Sequence, residues 1–584
     1  MRLAEVLKLC SQLISGREAK RLVSVISAYH RIPATPGFNK AADIVEERLQ
    51  ELGLEAEVHR FPAGREYMGW SSPRGWVLRD AELKMLKPEE KTLASLRDHP
   101  TMVAAYCPPC SLEAELYDAG RGDRRGCYRD VEGKIVLACG QYHLAYRLAC
   151  EAGAAALVYY RENTQKPGAY PYIRLREPRI PAVTVSLNTA LELKRKLSRG
   201  EVTLSIRVDS EYTEGELRVV EAKLGEGEPP VLLTAHLCHP MPGANDNASG
   251  SALLLELAGA LEKAVEKLRP RAELRMWWIP EFIGTLAMLE KTRLKPRAVV
   301  NLDMVGLASM GSTLTVTDTP GFAPSYLPLL AYYNLKSTLT KAYEGKAMAP
   351  PSLKATLGRY EWGSDHHVFA HMGTPAVLFI TWPDPAYHTD QDAPDNISQE
   401  ALRAMGVAAA ATALQAALLD ELSEQVERAV ALMAESLIAG EKALLPESPY
   451  AQARVAHLAR KYSMAVASVR GWSPRAQRIL ELAEPGTQHV KAPSDHTVYR
   501  RRLEAPLPAA DISWRAPVEV LEKYLDKESL ASVAAVAYSY VDGKRTAAEI
   551  ALEVYAEGLV KDPATVVEAL RDLHALGCIE PAPS

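Results

Sequence analysis

Imidazole and carboxylate side chains occur in this sequence at the points where short apolar runs end. His236 closes the run 231–235, and Asp246 follows in a Pro- and Gly-rich loop that precedes an apolar helical pattern. In open α/β sheets, ligands bind in the crevice outside the carboxyl ends of the strands. Two acids and a histidine follow three other apolar runs, and these are Glu281, Asp303 and His388. Five such groups at one sheet edge are hard to explain by packing, so they predict a metal-dependent hydrolase.

The apolar runs alternate with helical patterns, which would bring these groups to one edge of a sheet. A helix is predicted at 39–53, where Gly53 supplies the C-cap, and a strand follows at 54–61. Further runs predict strands buried on both faces, at 231–236, 273–279, 298–302 and 375–380. The pattern therefore predicts the α/β class, with a doubly wound mixed sheet and helices on both faces.

Changes in pattern along the chain predict five segments. We expect the N-terminal part of the main domain at 1–100, a β-rich insertion at 101–212, the main core at 213–440, a helical linker at 441–510 and a C-terminal unit of short helices at 511–584. In this last unit, Thr546-Ala-Ala-Glu549 has the pattern of a capping box and Gly577 ends the final helix.

Composition limits the classes of protein that this chain can be. A net charge of −5 and 47% hydrophobic residues predict a globular protein without a general attraction to nucleic acid or anionic membranes. We expect a cytoplasmic protein, because no apolar run reaches transmembrane length and the N-terminus lacks a signal-peptide core. Eight cysteines are too sparse for a disulfide scaffold. Cys107 and Cys110 have redox or metal spacing, but we expect a structural role, or a disulfide in a hyperthermophile.

The motifs around the candidate ligands occur in a characteristic order. Along the chain they are His236, Asn-Asp-Asn-Ala-Ser-Gly (245–250), Pro-Glu-x-x-Gly (280–284), Asn-Leu-Asp-Met-Val-Gly (301–306), Ser-Asp-His (364–366) and Tyr-His-Thr (387–389). This order resembles the zinc aminopeptidases of the bacterial leucyl aminopeptidase family, which also contains glutamate carboxypeptidase, the transferrin receptor and glutaminyl cyclase. The resemblance covers residues 20–60 and 215–440. It implies a zinc exopeptidase fold and hydrolysis of N-terminal peptide bonds.

The resemblance also implies a role for each matched residue. His236, Asp246 and Asp303 correspond to the ligands of one zinc ion, and Asp246 bridges to a second ion that His388 also holds. Glu281 corresponds to the general base that moves a proton from the attacking water to the leaving amine. The remaining matches are expected to orient ligands or to line the substrate pocket, and they are Asp365, His366, Tyr387 and Asp392, the last as an orienter of His388.

Two positions depart from the family pattern. Many members have a second glutamate, a ligand of the second metal, where this chain has Phe282. The acid that usually supports the first histidine is replaced by Cys238, and His239 follows it. Either His239 takes over a ligand position, or the site holds a single zinc through the first three ligands. Both features are similar to a less characterised, aminopeptidase-like branch of the family.

The flanking segments also resemble known domains. The insertion resembles a protease-associated domain, a lid-like unit of some exopeptidases, which favours short peptides as substrates. The C-terminal unit resembles a winged helix, but nucleic-acid binding is not favoured because its last helix carries few Arg or Lys. We expect an aminopeptidase that forms homo-oligomers. Two other functions stay open: a non-catalytic scaffold, as in the transferrin receptor, and acyl transfer, as in glutaminyl cyclase.

Overall fold

The first part of the chain is helical and joins the main domain. A computed structural model describes residues 2–308, 311–340, 353–445, 448–483 and 493–583. The opening elements are α1 (Leu3–Leu13), α2 (Arg17–Ile26), α3 (Pro36–Glu51), β1 (Ala56–Pro62), β2 (Glu66–Tyr67) and β3 (Trp70–Ser71). Helix α3 begins where Thr35 accepts a hydrogen bond from the Phe38 amide and Pro36 fills the first turn. The predicted helix and strand at 39–61 are confirmed, within a few residues at each end.

The insertion is built on a seven-stranded sheet. Its elements are β4 (Gly75–Lys87), β5 (Lys91–Ser95), β6 (Cys110–Asp118), β7 (Ile135–Ala138), α4 (Tyr142–Glu151), β8 (Ala156–Tyr159), β9 (Ala182–Thr184), α5 (Leu187–Leu197) and β10 (Thr203–Thr213). The strand order is β5-β4-β10-β6-β7-β8-β9. Because β4 pairs with β10 from Gly75 onward, the insertion begins near residue 75 and not near the predicted residue 101.

The core carries an eight-stranded mixed sheet. Its elements are β11 (Glu216–Leu224), β12 (Val231–His236), α6 (Gly250–Leu268), β13 (Leu274–Ile279), α7 (Ile283–Thr292), β14 (Ala298–Leu302), β15 (Thr313–Thr317), α8 (Leu327–Thr340), β16 (Ala355–Gly358), α9 (His366–His371), β17 (Ala376–Trp382) and α10 (Gln399–Ala417). The order is β1-β11-β13-β12-β14-β17-β15-β16, with β13, β12, β14 and β17 parallel. The α/β class is confirmed, and the parallel strands end at one edge.

Helices follow the core and lead into the C-terminal unit. They are α11 (Leu419–Leu444), α12 (Pro449–Arg470) and α13 (Pro474–Glu481), and the unit contains β18 (Tyr499–Arg501), α14 (Ala509–Arg515), α15 (Val518–Glu522), α16 (Leu530–Tyr540), α17 (Ala547–Ala556), α18 (Ala564–Ala575) and β19 (Ile579–Pro581). Apolar residues of α11 to α13 belong to the main hydrophobic core, so they do not form the predicted linker; residues 446–447 and 484–492 of that segment lie outside the described residues. Strand β18 pairs with β19, which starts the unit before residue 511.

Two other expectations concern bilayers and disulfides. Within the described ranges, no helix combines the length and the apolar character needed to cross a bilayer. All eight cysteines, including Cys107 and Cys110, carry free thiols. Cys107 is buried, and its sulfur accepts a hydrogen bond from the Ala182 amide at the start of β9. Its contacts are therefore those of a packed side chain in the insertion.

Candidate metal centre

The parallel strands of the core bring the predicted ligands together. His236 is the last residue of β12, Asp303 follows β14 directly, and Glu281 stands two residues after β13. His388 enters from the loop after β17 and Asp246 from the loop before α6. Two groups of potential ligand atoms lie at this edge, each with all atoms within 4.8 Å of one another: His236 with Glu281 and Asp303, and His239 with Asp246 and His388.

The Asp246 carboxylate lies between the two groups. Its Oδ1 is 3.4 Å from His236 Nε2, which is itself 3.0 Å from Asp303 Oδ1. Its Oδ2 is 3.3 Å from His239 Nε2 and 3.2 Å from His388 Nε2. One carboxylate oxygen thus faces each group, which is the arrangement that a ligand shared by two ions requires.

The imidazole hydrogen bonds show whether the site suits a cation. His236 Nδ1 lies 3.1 Å from the Cys238 carbonyl oxygen, and His239 Nδ1 lies 2.9 Å from that of Pro240. A carbonyl can only accept, so each Nδ1 carries the proton and, in the neutral ring, each Nε2 presents a lone pair. Those lone pairs face carboxylate oxygens, and His239 Nε2 is buried without a hydrogen-bond partner among the described residues. A metal ion would accept the Nε2 lone pairs of His236 and His239 and would also bind the carboxylate oxygens that face them. This set of donor atoms therefore fits a metal ion.

The Cys238 carbonyl takes the place of the acid that was expected to support the His236 ring. It accepts the His236 Nδ1 proton, which is the contact that a carboxylate at this position would otherwise make. The Cys238 thiol sulfur lies 3.2 Å from the Glu281 amide nitrogen and accepts its hydrogen bond. Replacement of the acid by cysteine therefore leaves the His236 ring oriented and links it to the start of the Glu281 turn.

Asp392 positions the backbone of Asp246. Its Oδ1 accepts a hydrogen bond from the Asn245 amide at 2.8 Å, and its Oδ2 accepts one from the Asp246 amide at 2.9 Å. The sequence-based prediction paired Asp392 with His388, and this pairing is wrong: both oxygens are directed to the other loop. Burial raises the pKa of Asp392 to about 7, against the opposing effect of these amides. Asp392 thus fixes where the shared carboxylate lies.

Removing Asp392 should destabilise this edge of the domain. In Asp392→Ala, the buried amides of residues 245 and 246 lose their acceptors. Each unsatisfied amide lowers the free energy of unfolding by about 1–3 kcal/mol. We expect the thermal midpoint of the metal-free protein to fall by about 2–5 °C in scanning calorimetry. Asp395→Ala, a change at an exposed position of the same loop, is the matched control and should shift the midpoint little. Equal midpoints for the two variants would contradict the anchoring role.

Glu281 stands in a turn that neighbouring groups hold in place. Asp365 Oδ1 accepts hydrogen bonds from the Phe282 amide at 2.8 Å and from Thr285 Oγ1 at 2.6 Å. Phe282 has a φ of 57°, and its ring stacks on Trp70 with the centroids 5.2 Å apart, so this side chain packs against β3. Burial, reinforced by nearby carboxylates that include Asp303, raises the pKa of Glu281 well above its usual value. Asp365 accordingly orients the Glu281 turn.

The remaining predicted residues differ in their contacts. Asp303 Oδ2 accepts a hydrogen bond from Ser364 Oγ at 2.7 Å, which orients that carboxylate. The Tyr387 ring stacks on His388 with centroids 3.8 Å apart, and the Tyr387 carbonyl accepts a hydrogen bond from Arg161. His366 is fully buried beside the Tyr360 ring, and burial lowers its pKa to about 4. His366 is therefore a buried residue, and its place in the substrate pocket stays a prediction.

Two residues at the site escaped the sequence-based predictions. Tyr172, from the insertion, donates its amide to the His388 carbonyl at 2.8 Å, and its ring lies 5.4 Å from the rings of His239 and His388. Arg31, fully buried, donates to the carbonyls of Leu237 and Gly243, which flank the His239 loop. Both residues reach the site through contacts between segments that are distant in sequence, and neither lies in one of the motifs. The sequence therefore contains no signal for them.

Comparison with known proteins connects this geometry to a family. The model of peptidase family M28 matches residues 219–413, the range that holds every candidate ligand. Over these residues the core of the chain is similar to the peptidases of family M28. A second model, described as a domain of unknown function (DUF4910), matches residues 21–314 and so includes the insertion. The DUF4910 match covers half of the chain, from the opening helices through the insertion, so the chain belongs to that family, whereas the M28 match is confined to the core.

Several M28-like relatives cover most of the chain. Aminopeptidase YwaD of Bacillus subtilis is 26% identical over 414 residues, which are 67% of this chain and 83% of YwaD. The structure of BSAP, a zinc aminopeptidase from Bacillus subtilis, has a TM-score of 0.51 and 21% identity over 69% of this chain and 94% of its own. A Clostridium acetobutylicum structure has a TM-score of 0.51 and 15% identity over 99% of this chain and 98% of its own. The last likeness shows that the fold is shared along nearly the whole chain.

Proposed function

We propose that this protein is a zinc-dependent aminopeptidase that hydrolyses the N-terminal peptide bond of short peptides. The observation that supports it most directly is the Asp246 carboxylate, whose oxygens face His236 on one side and His239 and His388 on the other. The match of the core to the M28 model supports the peptidase activity, and the names of YwaD and BSAP support the aminopeptidase class and the metal.

We assign the metal ligands as two sets that share Asp246. His236 and Asp303 would complete the first set, and His239 and His388 the second. This assignment places His239 where many family members use the second glutamate, which this chain replaces with Phe282. The stacking of the Phe282 ring on Trp70 and the unsatisfied Nε2 of His239 support it. Of the two alternatives raised by the sequence, we therefore favour the one with two ions.

The reaction would depend on charge placement by the chain's own residues. When bound, zinc polarises the scissile carbonyl and lowers the pKa of water to about 7. Glu281, close to His236 and Asp303, would accept the proton of the attacking water and donate it to the departing amine. Asp365 holds the Glu281 turn and Asp392 holds Asp246, so the base and the shared ligand stay fixed relative to each other. Tyr172 covers two of the histidines and would help to exclude bulk water.

Turnover of simple substrates tests the function. We expect release of free amino acid from dipeptides and aminoacyl amides, loss of activity with a chelator and its return with Zn²⁺. Peptides with an acetylated N-terminus serve as the control and should stay intact. Ammonia release from N-terminal Gln peptides without peptide cleavage would contradict the proposal and favour acyl transfer. Absence of any turnover by zinc-loaded protein would favour a scaffold.

We also propose identities for the flanking units. The seven-stranded sheet that brings Tyr172 to the metal centre supports a protease-associated insertion, and α16 to α18 with the β18–β19 pair support a winged-helix C-terminal unit. Free thiols at all eight cysteines support a cytoplasmic location, which fractionation of the source cells would test. Leu432, Met464 and Trp472 are about half exposed on or beside α11 and α12, which supports a homo-oligomer; light scattering that returns a monomer mass would contradict it.

A further inference from the structure

A cavity lies where the opening segment, the insertion and the C-terminal unit meet. It has a volume of about 450 Å³, within the range of small-ligand sites. Two carboxylates, Glu177 and Asp511, line it together with a larger number of arginines, which are Arg74, Arg174, Arg176, Arg179 and Arg515. The excess of positive charge makes it suited to an anionic group.

Two of the five arginines form ion pairs within this cavity, and Arg174 is among the three that do not. Arg176 pairs with Asp511, and Arg179 pairs with Glu177. Arg174 lies over the ring of Tyr106, 5.5 Å from its centroid, and its Nε is buried without a hydrogen-bond partner among the described residues. A buried guanidinium donor left unpaired is costly, and a ligand carboxylate, which accepts in the fork geometry of arginine, would satisfy it.

One extended segment connects Arg174 to the metal centre. Pro171 pairs with Thr389, next to His388, while the Leu175 amide and the Ile173 carbonyl both pair with Ala105. In an extended chain alternate side chains share a face, so Arg174 lies on the same side as Tyr172, the residue that contacts His239 and His388. Two residues of strand advance roughly 7 Å.

The spacing between the metal centre and Arg174 favours substrates of a particular length. An extended peptide advances about 3.3–3.6 Å per residue. If the first carbonyl of a peptide lies at the metal centre, the terminal carboxylate of a dipeptide or tripeptide comes within the reach of Arg174. Trp514 and Asp511 of α14 line the same cavity, so the C-terminal unit forms one of its walls and bounds the space available to a longer peptide.

We infer that Arg174 binds the C-terminal carboxylate of the substrate and makes the protein selective for dipeptides and tripeptides. This inference rests on the proposed aminopeptidase function and adds its substrate class. An Arg–carboxylate contact in such a site should favour a free acid over the matching amide by about 10- to 100-fold. The preference should appear mainly in KM, and it should decline as the peptide is lengthened beyond three residues.

The test compares X-Ala dipeptides with X-Ala amides for several residues X. With the wild-type protein we expect kcat/KM to be at least about 10-fold higher for the acids. In Arg174→Gln the ratio of acid to amide should fall to about one, whereas Arg207→Gln, a change in a surface ion pair with Asp80, should keep the ratio. The wild-type comparison needs no variant, so misfolding of Arg174→Gln would not remove the test. Equal rates for acids and amides, or an unchanged ratio in Arg174→Gln, would overturn the carboxylate site alone; hydrolysis of neither substrate would overturn the aminopeptidase function as well.

Discussion

Glu281→Gln should abolish peptide hydrolysis while the metal centre stays loaded. The amide cannot accept a proton, and loss of a general base lowers rates on the order of 10²–10⁴-fold. Gln is nearly isosteric, and the contacts that position the turn are made by the backbone amides of residues 281 and 282, so they survive the change. We therefore expect a large loss in kcat, little change in KM and an unchanged zinc content by elemental analysis.

The matched control is Glu290→Gln on α7, the helix that follows the Glu281 turn. The Glu290 carboxylate accepts a hydrogen bond from the Met68 amide at an exposed position, and it stands outside the two ligand groups. This variant should keep nearly full activity. If Glu281→Gln loses zinc together with activity, Glu281 acts as a ligand and not as the base; if it keeps full activity, the proposed mechanism is wrong.

His239→Ala should remove one of two zinc ions and lower kcat/KM by about 100-fold or more. In our assignment His239 supplies the ligand that Phe282 cannot, and loss of an ion that stabilises the transition state by several kcal/mol has an effect of this size. His236 and Asp303 lie on the other side of Asp246, so the first ion should remain. Elemental analysis and the rate of dipeptide hydrolysis measure the two effects.

His99→Ala provides the control for that experiment. His99 is 2.8 Å from Asp390, two residues beyond His388, and stacks on Tyr170, but it does not face Asp246. It should keep both ions and most of the activity. Full activity and full zinc content in His239→Ala would contradict the role of His239 as a ligand. That result would favour the alternative in which His236, Asp246 and Asp303 hold a single ion.

Local pattern predicted the fold of the core well. The unbroken apolar run that ends in His236 predicted a strand buried on both faces, and every residue of β12 is buried. The parallel strands beside it place Asp303 and Glu281 at the same edge. The start of the insertion at Gly75 was missed because β4 pairs with β10, more than a hundred residues later. The local sequence pattern cannot predict a strand partner that is so distant along the chain.

The supporting contacts of the site were harder to predict than its ligands. Ligands are restricted to few residue types and stand at strand ends, whereas Tyr172 and Arg174 belong to an irregular segment of the insertion. Asp392 was identified as a polar residue of the site, but the prediction chose the nearer histidine in sequence as its partner. The fold instead directs its oxygens to the backbone at 245 and 246, which only the packing of two loops can decide.

The zinc content of the wild-type protein tests the central claim most directly. Protein purified without chelator, or reloaded with Zn²⁺ after chelation and dialysed, should contain two zinc ions per chain by elemental analysis. That result would support the two ligand sets that share Asp246, with His239 in the second. One ion per chain would contradict the role of His239 and favour the single-zinc site, and no bound zinc would contradict the metallo-aminopeptidase itself.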